Sequence, residues 1–148
     1  MNRNSAALIV IVAASLILIG VLTLAAPKKE PERKGQADVT VVIDFGNQAP
    51  GESGPGSAPP WNMSVKLQNG TVYGALGAAA SSANFTFKAD WYPNFQSHRV
   101  TEIAGVADGT DGRYWQYYVN GQYLDKGADL VALSDGDTVR WEFRSALQ

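Results

Sequence analysis

The sequence has no cysteine, a single histidine and little net charge. Its 148 residues carry 12 Lys and Arg against 14 Asp and Glu, a formal charge of −2 at pH 7. The absence of cysteine excludes disulfide frameworks, thiolate metal sites and cysteine nucleophiles. Because His98 is the only histidine, the sequence gives little support to a histidine-rich metal site or a Ser/His/Asp triad. Because neither sign of charge dominates a long stretch, we expect no nucleic-acid partner, and we also expect no metal site and no enzyme activity.

A long uncharged segment follows a short N-terminal tail, residues 1–5. Residues 6–26 read AALIVIVAASLILIGVLTLAA and contain no charged side chain. At about 1.5 Å per residue, a helix of this length matches the roughly 30 Å hydrocarbon core of a bilayer. The segment therefore predicts a single transmembrane anchor. A cleaved signal peptide is the alternative, although Pro27 disfavours cleavage directly after Ala26.

Two features of the sequence disagree about which side of the membrane the rest of the chain occupies. Four basic residues follow the apolar segment within residues 28–34 and only Arg3 precedes it, which favours a cytoplasmic domain. Three Asn-X-Ser/Thr glycosylation acceptors, at Asn62, Asn69 and Asn84, favour the opposite side because such sites are used in secreted proteins. The tail is also too short to be a domain that needs export. We predict a single-pass protein of the cell membrane with its C-terminal domain outside the cytoplasm.

The remainder of the chain divides into a charged spacer, residues 27–37, and one folded domain, residues 38–148. A flexible loop is predicted for the Gly-, Pro- and Ser-rich residues 46–60. Apolar residues alternate with polar ones, as in strands, at residues 39–45, 61–68, 85–87, 100–106, 115–119, 123–124 and 139–143. Between residues 71 and 83 the apolar spacing changes to three and four, which predicts one short helix. This order of elements predicts an α+β fold in which the helix covers a mixed sheet.

Residues 114–143 carry a set of short motifs that recur together in one family. They are the strand residue Trp115, Val119-Asn120-Gly121, Gly127-Ala128, the turn Asp135-Gly136-Asp137, and Trp141. With these motifs the chain resembles the transcobalamin C-terminal-like domain family, small β-grasp domains of bacterial and archaeal surface proteins, over roughly residues 38–144. The resemblance implies a β-grasp-like fold and a soluble ligand, with a cobalamin-type corrinoid as one candidate. In the cobalamin carriers a larger helical domain holds the other face of the corrinoid, and 148 residues leave no room for it. We therefore expect no required cofactor.

Four side chains are candidate ligand-binding residues. Gln116 and Tyr118 point away from the predicted core face of their strand and offer an amide and a phenol. Trp91 and Tyr92 precede Pro93 in a predicted loop, where exposed aromatic rings suit planar ligands or sugars. Each pair has a structural alternative: cross-strand packing for Tyr118, and anchoring of the loop to the core for Trp91 and Tyr92.

Two predicted turns carry two aspartates each, at residues 108–112 and 135–137. Calcium requires about six to eight oxygen ligands, and a turn with two carboxylates supplies too few. Turn formation explains both segments, and no metal site is predicted there.

These features together predict a membrane-anchored module that binds a soluble ligand, either corrinoid-like or a glycan, or a protein partner at the cell surface. The alternative is a structural subunit of a surface assembly or filament that is built through the apolar N-terminal helix.

Overall fold

A computed structural model describes residues 35–146. The predicted tail, the predicted membrane anchor at residues 6–26 and residues 27–34 of the spacer lie outside the described residues. Within residues 35–146, no helix is long and apolar enough to cross a membrane. The same residues form eight strands and one α-helix, which confirms the predicted mixed α+β fold.

The helix and strands follow one another along a single domain. In chain order they are β1 (Gln36–Asp44), β2 (Trp61–Gln68), α1 (Val72–Ala83), β3 (Phe87–Tyr92), β4 (Ser97–Ile103), β5 (Val106–Ala107), β6 (Arg113–Val119), β7 (Gln122–Tyr123) and β8 (Thr138–Ser145). Short 3₁₀ turns occupy Pro93–Phe95, Thr110–Gly112 and Ala128–Leu130.

The larger sheet has five strands in the order β2-β1-β8-β6-β7. β1 is antiparallel to β2 and parallel to β8, so the sheet is mixed. A parallel pair needs a long crossover, and the helix and a second sheet lie between β1 and β8 along the chain. Val39, Val41 and Ile43 of β1 are buried on the face that packs into the apolar core. The predicted strand at residues 61–68 is confirmed as β2.

The helix α1 has well-defined ends. The Thr71 hydroxyl accepts a hydrogen bond from the Gly74 N–H at 3.2 Å, which caps the first turn. Asn84 ends the helix in the left-handed conformation with φ of 54°. The buried side chains recur at three and four residues, at Val72, Ala75, Leu76, Ala79 and Ala80. The predicted helix is confirmed, with Thr71 as its cap and not as its first helical residue.

The smaller sheet has three strands in the order β3-β4-β5 and differs from the sequence prediction in two places. Trp91 and Tyr92 belong to the end of β3, paired with His98 and Ser97, and their predicted location in a loop was wrong. Strand pairing continues up to the residue before Pro93 because proline removes only its own N–H.

The second difference concerns the predicted strand at residues 100–106. β4 begins earlier, at Ser97, and ends at Ile103, after which Ala104 and Gly105 form a turn with φ of 48° and 81°. Val106 then returns as β5. The alternation of apolar residues gave no sign of this reversal, because Val106 is buried as a strand residue would be.

The segment 46–60 has no helix and no strand, but several of its residues contact the sheets. The Gly51 N–H donates to the Ala104 carbonyl at 2.7 Å. The Glu52 carboxylate accepts the Thr86 N–H at 2.7 Å, and the Ser57 carbonyl accepts the Trp61 indole N–H at 3.0 Å. The flexibility of this loop stays a prediction.

Candidate ligand-binding cleft

A cleft of about 840 Å³ opens between strands β4 and β6. Residues 97–100 of β4 line one side, residues 114–117 of β6 line the other, and residues 123–128 line a third. The cleft exists because the two sheets separate here. β5 pairs only with Glu102 and Ile103 of β4, and β7 pairs only with Tyr118 and Val119 of β6.

Asp108 joins the two strands that line the cleft. Its Oδ1 accepts the main-chain N–H of Trp115 at 2.8 Å, and its Oδ2 accepts from Arg99 Nη2 at 3.0 Å. Burial raises the pKa of the Asp108 carboxyl, and this effect outweighs the lowering by the Trp115 N–H and the Arg99 guanidinium. The Trp115 indole N–H donates to the Val106 carbonyl at 2.8 Å and ties β6 to β5 as well.

Asp129 makes a second set of links, from the turn after β7 to β4. Its Oδ2 accepts the Ser97 hydroxyl at 2.8 Å and the His98 main-chain N–H at 2.6 Å. Its Oδ1 lies 3.0 Å from His98 Nδ1, and a carboxylate only accepts, so Nδ1 carries the proton. Burial acts to raise the pKa of Asp129, but the hydrogen bonds from His98 and Ser97 together lower it.

The segment 123–128 lies close to both β4 and β6. A Cβ atom on Gly127 would lie 2.2 Å from Ser97 Cβ, so only glycine permits this approach. On the other side, the Tyr117 hydroxyl donates to the Lys126 carbonyl at 2.6 Å. Burial, followed by the nearby Tyr123 and Asp125, raises the pKa of Tyr117 to about 12. The Gly127-Ala128 motif of the family resemblance therefore positions one side of the cleft.

Exposed aromatic rings surround the cleft. Among the described residues, the exposed large apolar side chains are Trp91, Tyr92, Phe95, Tyr123 and Leu130. Phe95 is 70% exposed, and Tyr92 and Tyr123 are 40% and 42% exposed; all three line the cleft. Grouped exposed apolar residues commonly mark binding sites. We call Tyr92, Phe95 and Tyr123 the aromatic rim.

The structure brings two of the four predicted site residues to the cleft, Tyr92 and Gln116. Trp91 does not line it. Its ring packs on the His98 ring, with 4.9 Å between the ring centroids. The His98 ring also stacks on the Tyr73 ring, with 4.5 Å between their centroids. Tyr118 also lies outside the cleft, where its hydroxyl accepts from Arg144 Nη1 at 3.1 Å.

Two buried polar atoms in cleft-lining residues have no hydrogen-bond partner. They are the acceptor Gln116 Oε1 and the donor Trp141 Nε1, and within residues 35–146 no other buried side-chain nitrogen or oxygen atom is unpaired. Gln116 uses only its Nε2, which donates to the Ser145 carbonyl at 2.9 Å. A buried unpaired polar group typically costs about 1–3 kcal/mol, so each such atom needs an explanation.

Sequence reasoning missed Phe95, Tyr123 and Trp141 as cleft residues. Phe95 ends the turn Pro93–Phe95, and Tyr123 lies two residues after Gly121 of the Asn120-Gly121 turn. An aromatic residue inside a segment of turn-forming residues was the available signal, because turns lie on the surface.

The three predicted glycosylation acceptors are all exposed. Asn62 lies on β2, and Asn69 and Asn84 adopt the left-handed conformation at the ends of β2 and α1. Within residues 35–146, no group of three or more His, Cys, Asp or Glu side chains is arranged to hold a metal ion.

Comparison with known proteins gives a family and a fold. The family model described as "Domain of unknown function (DUF4430)" matches residues 69–145, just over half of the chain. No curated protein matches the chain.

Two solved structures show the fold. Haptocorrin in complex with Cbi is similar with a TM-score of 0.57 and 18% sequence identity, over 78% of this chain and 27% of haptocorrin. A candidate metal-binding protein from Ruminococcus gnavus ATCC 29149 is similar with a TM-score of 0.50 and 15% identity, over 75% of this chain and 99% of that protein. This chain thus spans about a quarter of haptocorrin. At the level of fold, these findings support the resemblance to transcobalamin C-terminal-like domains.

Proposed function

We propose that this chain, which belongs to the DUF4430 family, is a ligand-binding module that its N-terminal apolar segment anchors to the cell membrane. One observation carries the proposal: a cleft of about 840 Å³ whose rim consists of exposed aromatic rings. Ligand pockets of this size are mostly apolar with a few placed polar groups. Two of the lining residues, Gln116 and Trp141, each carry a buried polar atom without a partner, the acceptor Oε1 and the donor Nε1.

The proposed ligand is a soluble molecule with at least one ring, either corrinoid-like or a glycan. Exposed aromatic side chains bind planar rings and sugar faces well because they bury large area with little loss of side-chain freedom. Haptocorrin is described in complex with Cbi, which supports the corrinoid-like class for a related fold. This chain spans 27% of haptocorrin. We therefore propose neither a required cofactor nor that this chain alone captures a ligand as haptocorrin does.

The proposed architecture is β-grasp-like. The parallel β1 and β8 at the centre of the larger sheet and the position of α1 directly after the first antiparallel pair support it. The proposed location, outside the cytoplasm at the membrane, rests on the apolar residues 6–26 and on the exposed acceptors Asn62, Asn69 and Asn84. The proposal assigns no catalytic step to the domain and no metal to the cleft.

A ligand screen with two matched variants tests the proposal. The full-length protein in mild detergent is screened against a corrinoid panel and a glycan panel. Phe95→Ala removes a 70% exposed ring from the cleft rim, and Leu130→Ala removes a 57% exposed apolar side chain that does not line the cleft. We expect a hit whose affinity falls roughly tenfold in Phe95→Ala, about 1.4 kcal/mol, and stays unchanged in Leu130→Ala. A hit that both variants retain would place the ligand elsewhere, and no hit in either panel would remove both ligand classes.

A further inference from the structure

Strand β6 has one edge that no strand covers over most of its length. β6 pairs with β8 at every residue from Arg113 to Val119. On its other side it pairs with β7 at Tyr118 and Val119 alone. No strand pairs with this edge from Arg113 to Tyr117, although the segment at Asp108 and Gly109 hydrogen-bonds to its first part, and residues 114–117 line the cleft.

The main-chain groups of Tyr117 point toward this open edge. The Trp115 N–H donates to Asp108 Oδ1, so it faces away from β8. In an antiparallel pair the N–H and C=O of one residue face the same side, and the side alternates along the strand. Tyr117, two residues further, thus also presents its N–H and C=O away from β8. The Arg113 carbonyl is already engaged, because it accepts the Gly109 N–H at 2.7 Å.

The uncovered part of the β6 edge, at Tyr117, lacks the features that protect the other long edges. Exposed edges are normally blocked by lysine, proline or a bulge. The β2 edge carries Lys66, and Pro60 directly precedes the strand. The β3 edge carries Lys88, an irregular register after it, and Pro93 at its end. The β6 strand reads RYWQYYV, with neither lysine nor proline and with an unbroken register.

The opposite side of the cleft is also a strand edge. Residues 97–100 of β4 pair with β3 on one side, and β5 pairs only further along, at Glu102 and Ile103. An extended chain of about three residues, at roughly 3.3 Å per residue, would run along the part of this edge that Asp108 and Gly109 leave uncovered, around Tyr117. Its side chains would alternate, so that every second one would meet the aromatic rim.

We propose that the cleft accepts an extended polypeptide segment, which adds to the open edge of β6 and pairs with the main-chain N–H and C=O of Tyr117. The inference rests on the proposed function, since both place the ligand in this cleft, and it names a peptide as the class of partner. The pattern of open main-chain groups identifies this occupant, because a donor and an acceptor spaced as in a strand match the backbone of another strand. Apolar side chains of the segment would contact Phe95 and Tyr123.

The test uses peptide selection followed by amide exchange on the full-length protein in mild detergent. A random library of peptides, about twelve residues long, is selected against the protein, and enriched peptides are titrated. We expect peptides with alternating apolar residues and Kd near or below about 100 µM. Binding should slow hydrogen exchange of the Tyr117 amide roughly tenfold and leave the Gln116 amide, which faces β8, unchanged. Methylation of the central peptide nitrogen should weaken binding by roughly tenfold, because it removes a main-chain donor.

Several outcomes would overturn the inference. One is a selection without enrichment over a control selection on detergent alone. Another is a peptide that binds without slowing exchange at Tyr117, or equally well after methylation. Protection of the Tyr117 amide that rises with protein concentration in the absence of peptide would instead assign the edge to a second copy of this chain. The proposed function fails separately: a corrinoid or glycan that responds to Phe95→Ala would keep the cleft as a ligand site even if no peptide binds.

Discussion

The carboxylate of Asp129 holds His98 through two hydrogen bonds, one from the main-chain N–H at 2.6 Å and one from ring Nδ1 at 3.0 Å. The same carboxylate accepts a third hydrogen bond, from the Ser97 hydroxyl. These bonds connect the turn at Ala128–Leu130 with the start of β4. An ionised side chain therefore helps to fix the position of this turn, and with it one side of the cleft.

Replacing this carboxylate should destabilise the domain in a pH-dependent way. Asp129→Asn should lower the free energy of unfolding at pH 7 by about 1–2 kcal/mol, because hydrogen bonds to charged groups contribute roughly 1.5–3 kcal/mol and the amide retains part of them. The folded-state pKa of Asp129 is lowered. Its contribution is thus fully present above the unfolded pKa of about 3.9 and is lost as pH falls through the folded value.

Urea unfolding at pH 7 and near pH 3 checks this prediction. The difference between wild type and Asp129→Asn should be smaller at the lower pH, because that pH lies below the unfolded pKa. Asp90→Asn, which removes an exposed carboxylate from β3, is the control and should change stability little at either pH. An equal deficit of Asp129→Asn at both pH values would contradict the argument.

At Asp108, we expect the oxygen that accepts the Trp115 N–H to contribute more to stability than the negative charge does. Burial raises the pKa of this carboxyl, so folding disfavours its ionised form relative to water. Asp108→Asn keeps an oxygen for the Trp115 N–H and should change the free energy of unfolding by less than about 1 kcal/mol. Asp108→Ala leaves that N–H without its acceptor and should cost about 2 kcal/mol.

Denaturant midpoints of the two Asp108 variants provide the measurement. Two variants of equal stability would show that the acceptor for Trp115 is unimportant. Equal and large losses in both variants would show that the ion pair with Arg99, which both substitutions remove, dominates.

How far the sequence predicts this structure depends on how local each signal is. The alternation in β2 and the spacing of three and four in α1 act over a few residues, and the structure has both elements where the pattern predicted them. The cleft depends on distant partners. Asp129 and His98 are 31 positions apart, and no local pattern pairs them.

The errors at the site have the same origin. Phe95 and Tyr123 were not predicted as site residues, because their exposure is set by where the two sheets separate. Trp91 was assigned to a loop because Pro93 follows it, yet pairing with His98 keeps it in β3. Tyr118 does point away from the core as predicted, but its hydroxyl binds Arg144 and not the cleft.

Alkaline pH should weaken the fold through Tyr117. Its pKa is raised to about 12 in the folded protein, above the value of about 10 for an unperturbed tyrosine. The stabilisation is therefore fully present below pH 10 and is lost as pH rises from 10 to about 12. Its size is on the order of 3 kcal/mol, since each of the roughly two pKa units between these values corresponds to about 1.4 kcal/mol.

Tyr117→Phe isolates this effect. The variant loses the hydrogen bond to the Lys126 carbonyl and should be less stable at pH 8 by about 1 kcal/mol. Between pH 10 and pH 12 its urea midpoint should fall less than that of the wild type. An equal decline of the urea midpoints of the two proteins over that range would contradict the assignment to Tyr117. Tyr92→Phe, at an exposed tyrosine that does not contribute to the raised pKa of Tyr117, is the control.

Two glycine-to-alanine changes should have opposite effects on stability. A Cβ on Gly127 would lie 2.2 Å from Ser97 Cβ, so Gly127→Ala must displace β4 or the segment that lines the cleft. Such overpacking typically costs about 1–3 kcal/mol. A Cβ on Gly77, in the middle of α1, has no atom within 4 Å, so Gly77→Ala should stabilise the helix by about 0.5–1 kcal/mol.

Thermal and urea unfolding of the two glycine variants give the comparison. Gly127→Ala should also weaken any ligand that binds in the cleft, whereas Gly77→Ala should leave binding unchanged because Gly77 does not line it. The contrast matters because both substitutions add the same methyl group to the same chain. If Gly127→Ala were as stable as the wild type, the close approach between β4 and residues 123–128 would not be required, and these residues could not define a fixed side of the cleft.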